Sequence, residues 1–216
     1  PLWGLVTGGR DFYGPLPVDD GIARCKEFSD GARDDPATQA FCSCERAVLE
    51  AMRGEFALAR ELLAAGTAAL EELNLHVWAA IASQEAFFVE MLAGDPAAAA
   101  AILRQSNEML AAMGERSFRS TVAGLLAHAL CALGEFGEAE RFSRSSERAA
   151  TPEDVFSQVY WRTARAKVLA HRGQAEAAEA AAREAVALSQ PTDLLNMQGD
   201  ALLDLAIDVV IDLGFL

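Results

Sequence analysis

Proline, cysteine and histidine are scarce in this sequence: its 216 residues include seven prolines, four cysteines and three histidines. So few prolines leave room for long helices, and four of them lie where helices are predicted to begin: Pro36, Pro96, Pro152 and Pro191. Hydrophobic residues make up 52% of the chain, and many of them are alanine, the strongest helix former. The composition predicts an all-α protein and argues against a β-rich one.

The cysteines and histidines do not form a metal-binding or catalytic motif. Cys42 and Cys44 are two residues apart and would point in different directions on a helix. The sequence has no C-x-x-C pair, no H-E-x-x-H and no G-x-S-x-G elbow. We therefore expect a protein that is not an enzyme and that has no catalytic residue, metal or cofactor. The cysteines are interpreted as small buried thiols in the reducing cytoplasm.

Positive charge and long apolar runs are also scarce. The chain has 18 Lys and Arg against 32 Asp and Glu, and its net charge of −14 opposes binding to nucleic acid. The acidity is compatible with a basic partner or with the solubility of an extended, surface-rich protein. No uncharged apolar stretch reaches ~18 residues and no signal peptide opens the chain, so we expect no membrane association and a cytoplasmic location. Because the sequence begins with Pro1, we interpret it as part of a longer protein.

What the sequence does contain is a repeat, marked by four glycines at intervals of 40, 40 and 39 residues. Each glycine lies between two amphipathic segments and would end the first helix in the left-handed conformation. The alanine five positions later would face the first helix from the second, where a larger side chain would push the two apart. A period of this size predicts stacked helix hairpins. The glycine and alanine pairs are Gly54/Ala59, Gly94/Ala99, Gly134/Ala139 and Gly173/Ala178.

Capping residues support the helix boundaries. Asp35, Asp95 and Thr151 each precede a proline and resemble an N-cap followed by proline at the first helical position, and Thr192 is a further N-cap candidate. The predicted helices cover residues 2–13, 17–29, 36–53, 55–73, 75–93, 96–113, 116–133, 135–149, 152–172, 174–189 and 193–213. They form one domain, 1–216, with hairpins at 1–30, 36–73, 75–113, 115–150 and 152–190 and a half unit at 192–216. Gly14 and Gly214 would continue the glycine period at the two ends.

The pattern of glycine, bulky residue and alanine resembles the tetratricopeptide repeat (TPR). Phe56 and Phe136 are the bulky residues in two of the turns. The usual unit has 34 residues, so these units are about six residues longer, and the Trp-Leu-Gly part of the signature is missing. The resemblance implies a right-handed α-solenoid of antiparallel hairpins.

A closer resemblance rests on strings outside the generic repeat. They are YGPLPVDDGIARC at 13–25, MGERSFRSTV at 113–122, QVYWRTARAKV at 158–168, PTDL at 191–194 and QGDALLDL at 198–205. Together they resemble the C-terminal TPR region of bacterial adenylate/guanylate cyclase–ATPase regulators, over residues 11–206. The resemblance implies a sensor or partner-docking tail in a bacterial signalling protein. It transfers no catalysis, because the chain has no G-x-x-x-x-G-K-[ST] phosphate loop.

The repeat register predicts a groove lined by the first helix of each hairpin, apolar toward the N-terminus and polar to acidic toward the C-terminus. An apolar groove suits an amphipathic helix or an apolar peptide. The alternative is that these side chains belong to the core. The groove candidates are Cys44, Val48, Ile81, Gln84, Phe88, Met91, His128, Tyr160, Lys167, Asp204 and Asp208.

Four aspartates are spaced by four along the last helix: Asp200, Asp204, Asp208 and Asp212. Their simplest interpretation is a solvated stripe; the alternatives are a basic partner or pairing with Lys167 or Arg162 of the preceding repeat. The apolar residues 209–211 beside them would allow self-association if no further helix covers them.

The chain is therefore expected to be a non-catalytic protein-interaction scaffold with a protein or peptide partner. The alternative is a small-molecule sensor domain of a signalling ATPase, for which Gln84, His128, Tyr160 and Lys167 are the candidate ligand contacts.

Overall fold

The structure is a computed structural model that describes residues 14–212, with side chains through residue 206. Within this range the regular secondary structure is α-helical and contains no strand, which confirms the all-α prediction. No helix in the described part is long and apolar enough to cross a membrane. The predicted helix at 2–13 and the turn at Gly214 lie outside the described residues.

The chain divides into two compact units, Pro1–Ile102 and Leu103–Leu216. The prediction of one continuous domain stays a prediction. The helices are α1 (Val18–Gly31), α2 (Pro36–Met52), α3 (Phe56–Glu72), α4 (His76–Ile81), α5 (Ser83–Leu92), α6 (Pro96–Ala112), α7 (Ser117–Ala132), α8 (Phe136–Ala149), α9 (Val155–His171), α10 (Ala175–Ser189) and α11 (Leu195–Asp212).

The four periodic glycines end helices as predicted. Gly54, Gly94, Gly134 and Gly173 have φ angles of 84°, 75°, 75° and 70°, in the region where a residue without Cβ is unstrained. Asn74 and Gly114, which the pattern did not include, have φ angles of 57° and 73° and follow the second helices α3 and α6.

The alanines that follow these glycines are the most buried residues of their turns. Ala59, Ala99 and Ala139 are fully buried and Ala178 is 1% exposed. In the first unit α2 packs against α3, and in the second unit α7 packs against α8 and α9 against α10. A small side chain at this position allows the two helices of a hairpin to approach closely.

First helices of successive hairpins also pack side by side within each unit. In the first unit α2 contacts α5, and in the second unit α9 contacts both α7 and α11. Any residue on the shared face of α7, α9 and α11 is therefore placed beside a residue from the next hairpin, which positions the site described below.

Two N-caps are confirmed. The Asp35 carboxylate accepts a hydrogen bond from the Thr38 amide at 3.2 Å, and Asp95 accepts one from Ala98 at 2.9 Å. Both helices then begin with proline, whose missing N–H would have had no helical partner.

The other two predicted caps are wrong. Helix α9 begins at Val155, and Asp154 caps it by accepting from the Ser157 amide at 3.1 Å. Three residues separate Thr151 from the helix, so it cannot serve as its N-cap. The Thr192 hydroxyl accepts from the Leu194 amide at 3.2 Å and shapes the turn before α11 instead.

The predicted helix over 75–93 is interrupted once. The interruption is at Ala82, between α4 and α5, where φ is −58° and ψ is −9°. Neither glycine nor proline occurs in this segment, so the sequence carries no signal for the break.

Candidate functional site

A buried polar cluster joins the first helices of the second unit. It consists of His128 on α7, Thr163 and Lys167 on α9, and Asp204 on α11, four residues that the helical register brings to one face. His128, Thr163 and Asp204 are buried, whereas the Lys167 side chain is 23% exposed. Three of these four residues, His128, Lys167 and Asp204, are candidates of the predicted groove.

Asp204 is the centre of this polar cluster. Its Oδ2 lies 3.0 Å from His128 Nε2, and its Oδ1 lies 2.9 Å from Lys167 Nζ. His128 Nε2 is also 3.1 Å from the Thr163 hydroxyl, and Lys167 Nζ is 3.3 Å from His128 Nδ1. Lys167 Nζ also lies 3.2 Å from His128 Nε2, so the imidazole is in contact with all three of the other cluster residues.

The charges in this cluster decide the protonation of Asp204. Burial by itself would raise the pKa of its carboxyl, but the charge and hydrogen bonds of His128 and Lys167 outweigh burial and lower the pKa to about 2. Asp204 is therefore ionised at neutral pH and pairs with Lys167.

Tyr160 and Asp200 border the cluster. The Tyr160 ring lies edge-on to His128 at 5.8 Å, and its hydroxyl reaches Asp200 Oδ2 at 3.5 Å. Burial, together with the negative charges of Asp200 and Asp204, raises the pKa of Tyr160 well above its ordinary value. The phenol thus stays protonated and is not a base at neutral pH.

Further polar contacts tie α7 to α9 along their shared face. The Ser157 hydroxyl lies 3.0 Å from that of Ser120 and 2.8 Å from that of Thr121. Near the other end, the Cys131 thiol donates to the Ala164 carbonyl at 3.6 Å. These contacts hold two neighbouring hairpins in register, because a hydrogen bond is lost when one helix shifts along the other.

The first unit places apolar side chains at the same register positions. Cys44, Val48 and Phe88 are buried, whereas Ile81 and Met91 are partly exposed. Burial of the first three agrees with the alternative, left open by the sequence, that these residues belong to the core. The groove itself stays a prediction.

Two buried polar atoms of the first unit have no partner in the described part of the chain. They are Nε2 of Gln84 and Oε2 of Glu85, in the first turn of α5. Burial raises the pKa of Glu85 to about 7. The predicted groove included Gln84 and missed Glu85, whose available signal was a charged residue just before the apolar run Ala86–Val89.

The aspartate stripe is only partly solvated. Asp204 is 4% exposed, so the solvated interpretation is wrong for this residue, and the alternative pairing with Lys167 is confirmed. Among the residues with described side chains, the ion-pair partner of Arg162 is Glu184, at 3.1 Å. Asp208 and Asp212 have side chains outside the described range.

The cysteines are buried and unbridged: Cys25, Cys42, Cys44 and Cys131. Burial raises the pKa of Cys42 to about 11, so its thiol is protonated at neutral pH. In the described part of the chain, no group of three or more His, Cys, Asp or Glu side chains is arranged to hold a metal ion.

Comparison with known proteins finds similarity in fold. No family model matches the chain, and no curated protein matches its sequence. The crystal structure of BtubC (BKLC) from P. vanneervenii is similar to this chain, with a TM-score of 0.64 over 93% of this chain and 88% of that one. The two sequences are 16% identical, so the likeness concerns the helical fold alone.

Proposed function

We propose that the chain is a non-catalytic protein-interaction scaffold, a TPR-like solenoid of stacked helix hairpins. The observation that carries this proposal is the repeated turn, in which a left-handed glycine is followed by a buried alanine, together with first helices packed side by side in each unit. Such stacking creates extended surfaces that suit partner binding rather than a closed catalytic pocket. The resemblance to cyclase–ATPase regulators further suggests the tail of a larger bacterial signalling protein.

The non-catalytic role is supported by the hydrogen bonds that the residues of the polar cluster make with one another. Asp204, His128 and Lys167 each have a partner within hydrogen-bond distance, and Tyr160 keeps its proton. A general base or nucleophile needs a reactive lone pair directed at a substrate, and these groups are already engaged with one another. We therefore assign the cluster to holding α7, α9 and α11 in register.

A partner surface is supported by exposed apolar side chains near the ends of first helices. Met52, at the end of α2, is 38% exposed, and Leu92, at the end of α5, is 50% exposed. Each lies two residues before a periodic glycine, Gly54 or Gly94, so the two are equivalent positions of the repeat. Large apolar side chains in water are favourable contacts for an amphipathic helix or an apolar peptide.

Selection from a displayed peptide library tests this surface. We expect enrichment of amphipathic sequences, and we expect Leu92→Glu or Met52→Glu to weaken a selected peptide roughly tenfold, as loss of a buried apolar anchor does. The matched control is Leu73→Glu, at a leucine that is 39% exposed and follows the second helix α3. Failure to enrich any peptide, or equal loss in the control, would contradict the proposal.

The proposed parent protein has its own test, the complete gene sequence. A cyclase or ATPase domain upstream of these residues is expected. A gene that encodes this chain and nothing more would refute that part of the proposal and leave the scaffold function open to the peptide experiment.

A second candidate function is sensing of a small molecule by the first unit. It is supported by Gln84 and Glu85, whose buried unpartnered atoms offer one donor and one acceptor. A ligand that binds the folded state raises the midpoint of thermal unfolding. Screening a metabolite panel against the wild type and Gln84→Leu tests this: a hit that the variant loses supports sensing, and a panel without hits argues against it.

A further inference from the structure

Arginine pairing in the second unit is uneven. Seven of its ten arginines form ion pairs with a carboxylate: Arg104, Arg141, Arg144, Arg162, Arg165, Arg172 and Arg183. Arg116, Arg119 and Arg148 are the three without such a pair among the described residues. Acidic residues outnumber basic ones in this chain, which has a net charge of −14, so arginines without a carboxylate partner are the exception.

These three arginines line one pocket. The arginine pocket, of about 120 Å³, is formed by Arg116, Arg119, Ser145, Arg148 and Ala149, at the start of α7 and the end of α8. Its volume equals about four water molecules at ~30 Å³ each, which is enough for one small anion.

The donors of the pocket are available to a ligand. Arg119 uses its Nε to donate to Asn107 at 3.1 Å, which orients the guanidinium and leaves the two terminal nitrogens without a protein partner in the described range. Arg116 and Arg148 are exposed, so they can swing toward an anion without leaving water completely. Planar guanidinium groups bind tetrahedral oxyanions through paired hydrogen bonds.

The Glu115 carboxylate, next to Arg116 in the sequence, is engaged by backbone amides. Glu115 accepts hydrogen bonds from the amides of Ser117 at 3.0 Å and Arg119 at 3.2 Å. It therefore occupies the amino terminus of α7, and the positive charge of the pocket comes from side chains and not from helix amides.

We propose that the arginine pocket is a binding site for a phosphate group. The proposal is independent of the scaffold function, since it rests on arginine pairing and not on the groove. A free phosphate ion and the phosphate group of a metabolite share this chemistry. The pocket admits only the phosphate group itself, so any remainder of such a ligand would lie outside it.

Calorimetric titration with inorganic phosphate, at constant ionic strength in chloride, tests the site. We expect saturable binding to the wild type and at least roughly tenfold weaker binding to the double variant Arg116→Gln/Arg148→Gln, because charge-assisted hydrogen bonds are lost. The matched control is Arg141→Gln/Arg144→Gln, which removes the same charge from α8 at residues that pair with Glu138 and Glu140. Circular dichroism confirms that both variants are folded.

The titrations have distinct outcomes. Absence of saturable binding to the wild type, or equal weakening in the matched control, would overturn the proposal. A parallel titration with a sugar phosphate identifies the source of the group. Equal affinity for the two ligands assigns the pocket to free phosphate, and tighter binding of the ester assigns it to a phosphorylated metabolite.

Discussion

Glu85 in the first unit and Asp204 in the second are carboxyl groups on helices of the repeat, and packing shifts their pKa values in opposite directions. In the first unit, Glu85 has an unpartnered oxygen and burial raises its pKa to about 7. In the second unit, Asp204 is 4% exposed, yet His128 and Lys167 lower its pKa to about 2. Burial penalises the charged form in both units, and the neighbouring partners decide which form prevails.

The contrast extends to how the hairpins are held together. In the first unit α2 contacts α5, and Cys44, Val48 and Phe88 on these helices are buried, whereas polar contacts align α7 with α9 in the second unit. Apolar contacts tolerate small shifts, but a hydrogen bond is lost if its partner moves. One repeat pattern therefore supports two kinds of junction, which respond differently to mutation and pH.

The largest expected effect comes from breaking the polar cluster. Asp204→Ala leaves Lys167 without its counter-ion and His128 without its acceptor, which should lower the free energy of unfolding by about 3–5 kcal/mol at neutral pH. We expect the lower end of this range, because Lys167 is partly exposed and can turn toward water. Urea unfolding measures the loss. Glu184→Ala, at the exposed partner of Arg162, should change stability by under about 1 kcal/mol.

The acid dependence of the same residue checks the mechanism. The folded pKa of Asp204 lies below its ordinary value of 3.8, so its ionised form stabilises the folded state above about pH 4, and this contribution of about 2 kcal/mol is lost as pH falls toward 2. The difference between wild type and Asp204→Ala should therefore shrink below pH 4. A difference that stays constant with pH would show that Asp204 acts through packing and not through charge.

The second effect has the opposite sign and belongs to the first unit. The folded pKa of Glu85 is raised from 4.5 to about 7, so the folded state loses stability as pH rises through this interval, by about 3 kcal/mol. Glu85→Gln cannot ionise and should be more stable than the wild type by up to that amount above pH 7, with little difference at pH 4. Thermal unfolding against pH measures both, and Glu61→Gln, at an exposed position of α3, is the control.

A third prediction concerns the close approach of α2 and α3. A Cβ at Gly66 would lie 2.6 Å from the Cys44 thiol and 2.8 Å from the Ala40 carbonyl oxygen, and the second of these is backbone that cannot move aside. Gly66→Ala should therefore lower the free energy of unfolding by about 1–3 kcal/mol. Gly137→Ala, a helical position with open space around it, should be neutral or stabilising by up to about 1 kcal/mol. Equal effects of the two substitutions would contradict the predicted clash.

The smallest effect is expected at the edge of the polar cluster. Tyr160→Phe removes a hydroxyl whose 3.5 Å contact with the exposed Asp200 is long for a hydrogen bond. We expect a change below about 0.5 kcal/mol in urea unfolding. A loss comparable to that of Asp204→Ala would place Tyr160 inside the network and extend it to Asp200.

The local sequence predicted the parts of the fold that depend on nearby residues. Gly54 and Gly134 end helices because a left-handed residue is required there, and Asp35 and Asp95 begin them because a carboxylate can accept from an amide three residues later. The start of α9 was misjudged because Thr151 and Asp154 are both suitable caps, and three residues of local sequence do not choose between them.

Local sequence predicted the candidate sites only in part. His128, Lys167 and Asp204 were each assigned to one helical face by the repeat register, and Asp204 with Lys167 was among the pairings considered. The register could not say whether Asp204 would be solvated, because its partner His128 lies 76 residues earlier in the chain. Glu85 was not predicted either, because its burial depends on packing against helices that are distant in the chain.

By itself, then, the sequence determined the helices, their glycine turns and the small alanines between them, because backbone conformation and capping are local properties. Tertiary packing alone decided which buried carboxyl group gained a counter-ion and which did not. The reason is electrostatic: the protonation of Glu85 and Asp204 depends on charges and solvent within a few ångströms, and helices distant in the chain supply both.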